Sequence, residues 1–136
     1  YARAEVENTR KRTREEADKA RLFAVQKFAA DVVEMAENLR RGLDALPPPA
    51  EDEAEIVTKM RNGFEGVERF FHQRLEANGI LRKPAQGEAF DPELHQAMSE
   101  APAPEGVAPG TVLQAWSSAW TLNGRLLKPA MVVVAA

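Results

Sequence analysis

Residue types able to do covalent or metal chemistry are scarce in this chain. It has no cysteine and two histidines among 136 residues, which excludes disulfides, thiolate metal ligands and a cysteine nucleophile. His72 lies in an amphipathic segment and His95 follows an Asp-Pro turn. Neither has companions at metal-site spacing, so both read as structural or surface residues. No glycine-rich phosphate loop occurs, neither GxGxxG nor GKS/GKT. Carboxylates are abundant but fall mostly on helix faces, as solubilising charge. The chain therefore shows no catalytic set, no cofactor site and no metal site, and it is not read as an enzyme.

What remains is the chemistry of recognition. The segment 5–21, EVENTRKRTREEADKAR, carries Arg10, Lys11, Arg12 and Lys19 among acidic residues. It reads as a solvated helix or as a partner-facing patch, with Arg14–Asp18 and Glu15–Lys19 as i,i+4 pairs. A basic-zipper DNA reader is disfavoured, because Glu5, Glu7, Glu15, Glu16 and Asp18 would face phosphates. Gly63 and Gly66 interrupt a helical pattern at about 1 kcal/mol each relative to alanine. That cost is explained by tight packing in a helix bundle or by close approach of another protein's backbone. Asn123-Gly124, between strand-like runs, forms a two-residue hairpin that carries Arg125.

These residues need long elements to position them. Leu22, Val25, Ala29, Val32, Ala36, Leu39, Leu43 and Leu46 alternate three- and four-residue spacings, the seam of a helix that packs along a partner. Phe28 and Met35 widen the seam, as in a bundle. Extended back to Tyr1, this helix is about 70 Å long at 1.5 Å per residue, against roughly 35–40 Å across for a compact chain of this length. The excess length predicts a homodimer held mainly by the seam. Pro47, Pro48 and Pro49 stop the helix. Val57, Met60, Phe64, Val67 and Phe71 then repeat the spacing in a second helix that ends at Asn78 and Gly79. Two such hairpins make a four-helix bundle.

Beyond Gly79, prolines and glycines punctuate short apolar runs, the texture of a small β domain. Strands are expected at 111–116, at 120–122 with 125–127, and at 130–135, with Pro129 breaking the ladder. The fold class is thus α+β, with helical residues 1–79 serving pairing and residues 80–136 forming a β unit. A net charge of −3 exerts no global pull on nucleic acid or anionic membrane. No apolar run is long enough to span a bilayer, and no signal-like segment opens the chain. The start at Tyr rather than Met suggests an N-terminal piece removed or unseen. Absence of cysteine fits a reducing compartment.

FDPELHQAM at 90–98, PGTV at 109–112 and LNGRLLKPAMVVV at 122–134 resemble the GrpE family, the nucleotide exchange factors of DnaK-class heat-shock chaperones. ENTRKRT at 7–13, KFA at 27–29 and EGVE at 65–68 resemble family patterns in the same order. The resemblance implies a dimer with paired long helices, a four-helix bundle and a compact β wing on each protomer. It implies the DnaK-class ATPase domain as partner, a bacterial cytoplasm, or alternatively a mitochondrial matrix, and no cofactor. Matched motif by motif, it assigns partner contacts to Arg10 and Lys19, to Arg41 and Asp44, and to Gly66 of EGVE. In the wing it assigns them to Asn123, Gly124, Arg125 and Val134. Ala119 and Trp120 stand where the family usually has glycine and tyrosine, and Gly42 and the Pro47–Glu53 connection also depart from the pattern.

An exchange factor works by binding the open nucleotide cleft of its partner more tightly than the closed one. The polar segment 5–21 has little apolar seam and is expected to lose helicity on mild heating, as a thermosensor would. A dimeric coiled-coil scaffold or adaptor with another client is the alternative.

Overall fold

The computed structural model describes residues 1–136. Two helices, α1 (Ala2–Asp44) and α2 (Glu55–Ala77), precede six strands: β1 (Ile80–Lys83), β2 (His95–Ala101), β3 (Val112–Ala115), β4 (Ala119–Leu122), β5 (Arg125–Lys128) and β6 (Ala130–Ala135). The molecule is α+β.

Helix α1 runs for 43 residues, about 64 Å at 1.5 Å per residue, because neither proline nor glycine interrupts it before Gly42. It ends at Asp44, short of the proline run expected to stop it, since a residue before proline is pushed out of the α region and the turn ahead of it loosens. The connection to α2 is pinned from beneath. Arg61, 7% exposed, donates to the Pro47 carbonyl at 2.8 Å and forms an ion pair with Glu53. Arg40 of α1 meets Glu68 of α2 at 2.7 Å, and Ala29, Val33 and Ala36 share a cluster with Leu75. The helices are therefore antiparallel.

Helix α2 closes at Asn78, and Gly79 takes φ +78°, the left-handed turn that glycine adopts without a Cβ clash. The chain enters β1 from there. The wing is two sheets of three strands, ordered β1-β4-β5 and β2-β6-β3. In the first, all pairs are antiparallel, with Ile80 opposite Leu122 and Lys83 opposite Ala119. The hairpin at Asn123 (φ 49°) and Gly124 (φ 85°) has the two positive φ values of a primed turn. In the second, β6 pairs β2 in parallel and β3 antiparallel. Pro129 falls where the chain leaves one sheet for the other. Strands β1 and β2 were not expected from sequence. ILRK and HQAMSEA are exposed along most of their length and do not alternate apolar with polar residues, so no strand pattern marks them.

Two cores result. One joins α1, α2 and the first sheet through Ala29, Val33, Ala36, Leu75, Ile80, Trp120 and Leu122. The other lies inside the wing, around Val112, Ala119, Ala130, Val132 and Val134. Only 19 of 136 residues are buried, and residues 1–25 are exposed throughout, so much of α1 meets nothing in its own chain. The expected Arg14–Asp18 and Glu15–Lys19 pairs do not form; Asp18 instead pairs with Arg21 at 2.6 Å, one turn nearer the C-terminus.

Candidate functional site

Besides Gly66 on α2, the residues expected to meet a partner occupy three stations. Arg10 and Lys19 stand on the bare stretch of α1, both exposed. Arg41 and Asp44 lie about 33–51 Å further along the same helix at 1.5 Å per residue. Arg41 donates to Asn38 at 2.5 Å, and Asp44 accepts from Arg40 at 3.1 Å. The third station is the wing. Asn123, Gly124 and Arg125 form an exposed hairpin tip, while Val134, 8% exposed, belongs to the wing core and offers only an edge.

The tip is fixed to the end of α2 by a close approach of backbone and side chain. The Asn123 N–H donates to the Gly79 carbonyl at 2.9 Å, and a Cβ built on Gly79 would lie 2.0 Å from Asn123 Oδ1. Arg125 thus projects from a rigid turn. Gly66 and Gly63 differ from Gly79 in this respect. A Cβ on Gly63 would meet nothing within 4 Å, and one on Gly66 only the Arg69 side chain at 3.7 Å. Packing within the chain accounts for neither.

The pairing residues divide. Ala29, Ala36 and Leu43 are buried within the chain, and Val32 and Phe71 pack against the same helix–wing core. Leu39 and Val57 are half-buried. Leu22, Val25, Leu46, Met60, Phe64 and Val67 are exposed, as are Phe28, Met35, Ile56 and Phe70. Leu39, Gly42, Leu43, Leu46 and Phe64 line an apolar groove of about 310 Å³ between the helices.

Residues that the seam pattern passed over join these stations. Glu37, 7% exposed, accepts from Trp120 Nε1 at 2.6 Å and from the Ser118 N–H at 3.3 Å. His72 of α2 stacks on the Trp120 ring at 5.5 Å between centroids. Its burial, then the Arg82 charge, hold its pKa below the usual imidazole value, against the opposing charges of Glu68, Glu76 and Glu37. Glu37 follows buried Val33 by one turn on the face that packs within the chain, but no local pattern in the sequence marks its partners. His95 is buried, and its Nδ1 accepts the Asp91 N–H at 2.9 Å, a structural role.

No group of three or more carboxylates and histidines could hold a metal ion, and no helix is long and apolar enough to cross a membrane.

The model of the GrpE family matches residues 1–136. Three relatives, each named Protein GrpE, agree. That of Afipia carboxidovorans is 46% identical over 132 residues, 96% of this chain and 66% of the relative. That of Paramagnetospirillum magneticum is 44% identical over 135 residues, 99% of this chain and 66% of the relative. That of a Caulobacter species is 46% identical over 134 residues, 98% of this chain and 64% of the relative. The chain thus spans just under two thirds of the length of these curated relatives. With its long α1, its α2 hairpin and its two-sheet wing matched from end to end, this chain belongs to the GrpE family.

Proposed function

We propose that the chain acts as a homodimeric co-chaperone of the bacterial cytoplasm that binds the ATPase domain of a DnaK-class chaperone and accelerates ADP release without catalysing a reaction itself. The observation that carries this reading is the shape of one continuous body. Its helix leaves residues 1–25 free of the chain, while its other end is packed against a wing that presents Arg125. Such a body can touch two lobes of a partner at once. It shifts their equilibrium by binding the open arrangement more tightly, and linkage requires bound nucleotide to weaken its grip in return.

Residues 1–79 serve pairing and also carry the helix contacts, while residues 80–136 form the wing that supplies the remaining ones. The exposed row Ile56, Met60, Phe64, Val67 and Phe70 on α2, with Phe28 and Met35 on α1, supports a four-helix bundle across the dimer. Full burial of such side chains contributes about 1.5–3 kcal/mol each, enough in sum to hold protomers together. The absence of intrachain packing at Gly63 and Gly66 supports close approach of a second backbone there.

Release of a fluorescent ADP analogue from a DnaK-class ATPase domain, followed by stopped flow, tests the proposal. Acceleration by the wild type and loss of it in Gly66→Asp or Gly63→Asp, with the dimer intact, is the expected result. A folded dimer that leaves the release rate unchanged at saturation would leave the adaptor reading in its place.

A further inference from the structure

We infer that Glu37 is a positioning residue that clamps the wing to α1 and so sets the angle at which Arg125 is delivered to the partner; this rests on the exchange reading above. The wing meets the helices at two levels. At one end of β4, Leu122 lies opposite Ile80, directly after the Gly79 crossing, where the covalent chain and the Asn123–Gly79 hydrogen bond fix it. Ser118, just ahead of the strand, and Trp120 lie toward its other end, about 14 Å and about 7 Å from Leu122 at 3.4 Å per residue. There the tie is Glu37, which gathers the Ser118 N–H and Trp120 Nε1. Two separated points of attachment fix an orientation; one leaves a pivot.

Packing alone does not close the second end. A cleft of about 200 Å³ opens there between the helices and the wing, with Glu37, Arg40, His72, Arg82, Trp116 and Trp120 in its wall. The other polar tie between α1 and the wing, Lys128 to Glu34, is 3.5 Å long with Glu34 exposed. Glu37 is among the most buried polar residues of the chain and no cation pairs with it, although a buried carboxylate carries a desolvation cost that an aliphatic side chain would avoid. Its two donors come from one short stretch of the wing. That geometry suits the holding of a direction more than the addition of stability.

Two measurements test the clamp. The chain lacks cysteine, so Asp31→Cys on α1 and Glu100→Cys in the wing can carry spin labels, diluted with unlabelled protein so that distances within one protomer are read. A single narrow distance distribution is expected for the otherwise wild-type chain and for Glu37→Gln, which keeps an acceptor. A broad one is expected for Glu37→Ala and for Trp120→Phe, which keeps the stacked ring and loses the donor. In ADP release, well below the melting transition, the latter two should lower the saturating rate about fivefold or more. Their half-saturating concentration should stay within about twofold of wild type, since helix contacts remain. Arg125→Ala should instead raise the half-saturating concentration. Unchanged distances, or a saturating rate that falls only with the folded fraction, would overturn the clamp. If the wild type fails to accelerate release, the exchange reading fails, and the distance distributions alone still decide whether Glu37 holds the wing.

Discussion

Helix α1 holds two regions of the same backbone under opposite physical regimes. Residues 1–25 are exposed on every side and rest on helix propensity and weak surface pairs such as Asp18–Arg21. From Ala29 to Leu43 the helix is anchored by α2 and the wing, through Val33, Ala36 and the Glu37–Trp120 hydrogen bond. Helices in folded proteins owe little to propensity and most of their stability to a packed face. One continuous helix can therefore be loose at one end and rigid at the other, with the rigid end carrying orientation and the loose end free for a second protomer or a partner.

The contrast breaks most visibly at Trp120. Trp120→Ala, at a site 1% exposed, should cost about 3–5 kcal/mol, read as a drop in the urea midpoint with the fluorescence change of helix–wing separation. Gly79→Ala should cost about 2 kcal/mol or more, from positive φ and the clash with Asn123, with the wing loosened and the helices retained. Heating should separate the two regions. Amide exchange in residues 1–25 and reversible loss of helical circular dichroism should precede loss of the Trp120 signal, and a single coincident transition would contradict the division.

A pH titration probes the anchored end through His72. His72 has its pKa depressed in the folded chain by burial and by Arg82, so the unfolded chain binds the proton more readily. Its contribution to stability is complete above the unfolded imidazole value of about 6.5 and is lost as pH falls through the lower folded value. The melting temperature of the wild type should fall over that range, and His72→Gln should flatten the dependence. Glu53, whose pKa is lowered by hydrogen bonds from Arg61 and then Thr58, adds a loss in the same direction below the ordinary carboxylate range. The smallest effect belongs to the bare end. Arg21→Ala removes an exposed ion pair and should change stability by less than about 0.5 kcal/mol, within the error of a denaturant midpoint.

Much of the architecture is legible in the residue pattern. Three-four spacing marked both helices, because a helix must turn an apolar face toward something. Asn123-Gly124 marked the hairpin, because few dipeptides accept two positive φ values in succession. The Ala130–Ala135 run marked the last strand, because a central strand with little exposed surface on either face is apolar throughout. Strands β1 and β2 were not legible, since ILRK and HQAMSEA take their pairing from β4 and β6 and not from their own pattern. Contact residues at the exposed stations could be proposed from local motifs, whereas Glu37 could not, since its donors lie 81 and 83 residues away. The local residue pattern sets which segments are helix or hairpin and makes α1 outrun its own globule, because these depend on neighbours within a few turns of chain. Tertiary structure alone decided which half of the seam is used within the protomer and that a buried carboxylate meets an indole there, because hydrogen bonds and burial belong to pairs of distant residues that no local pattern encodes.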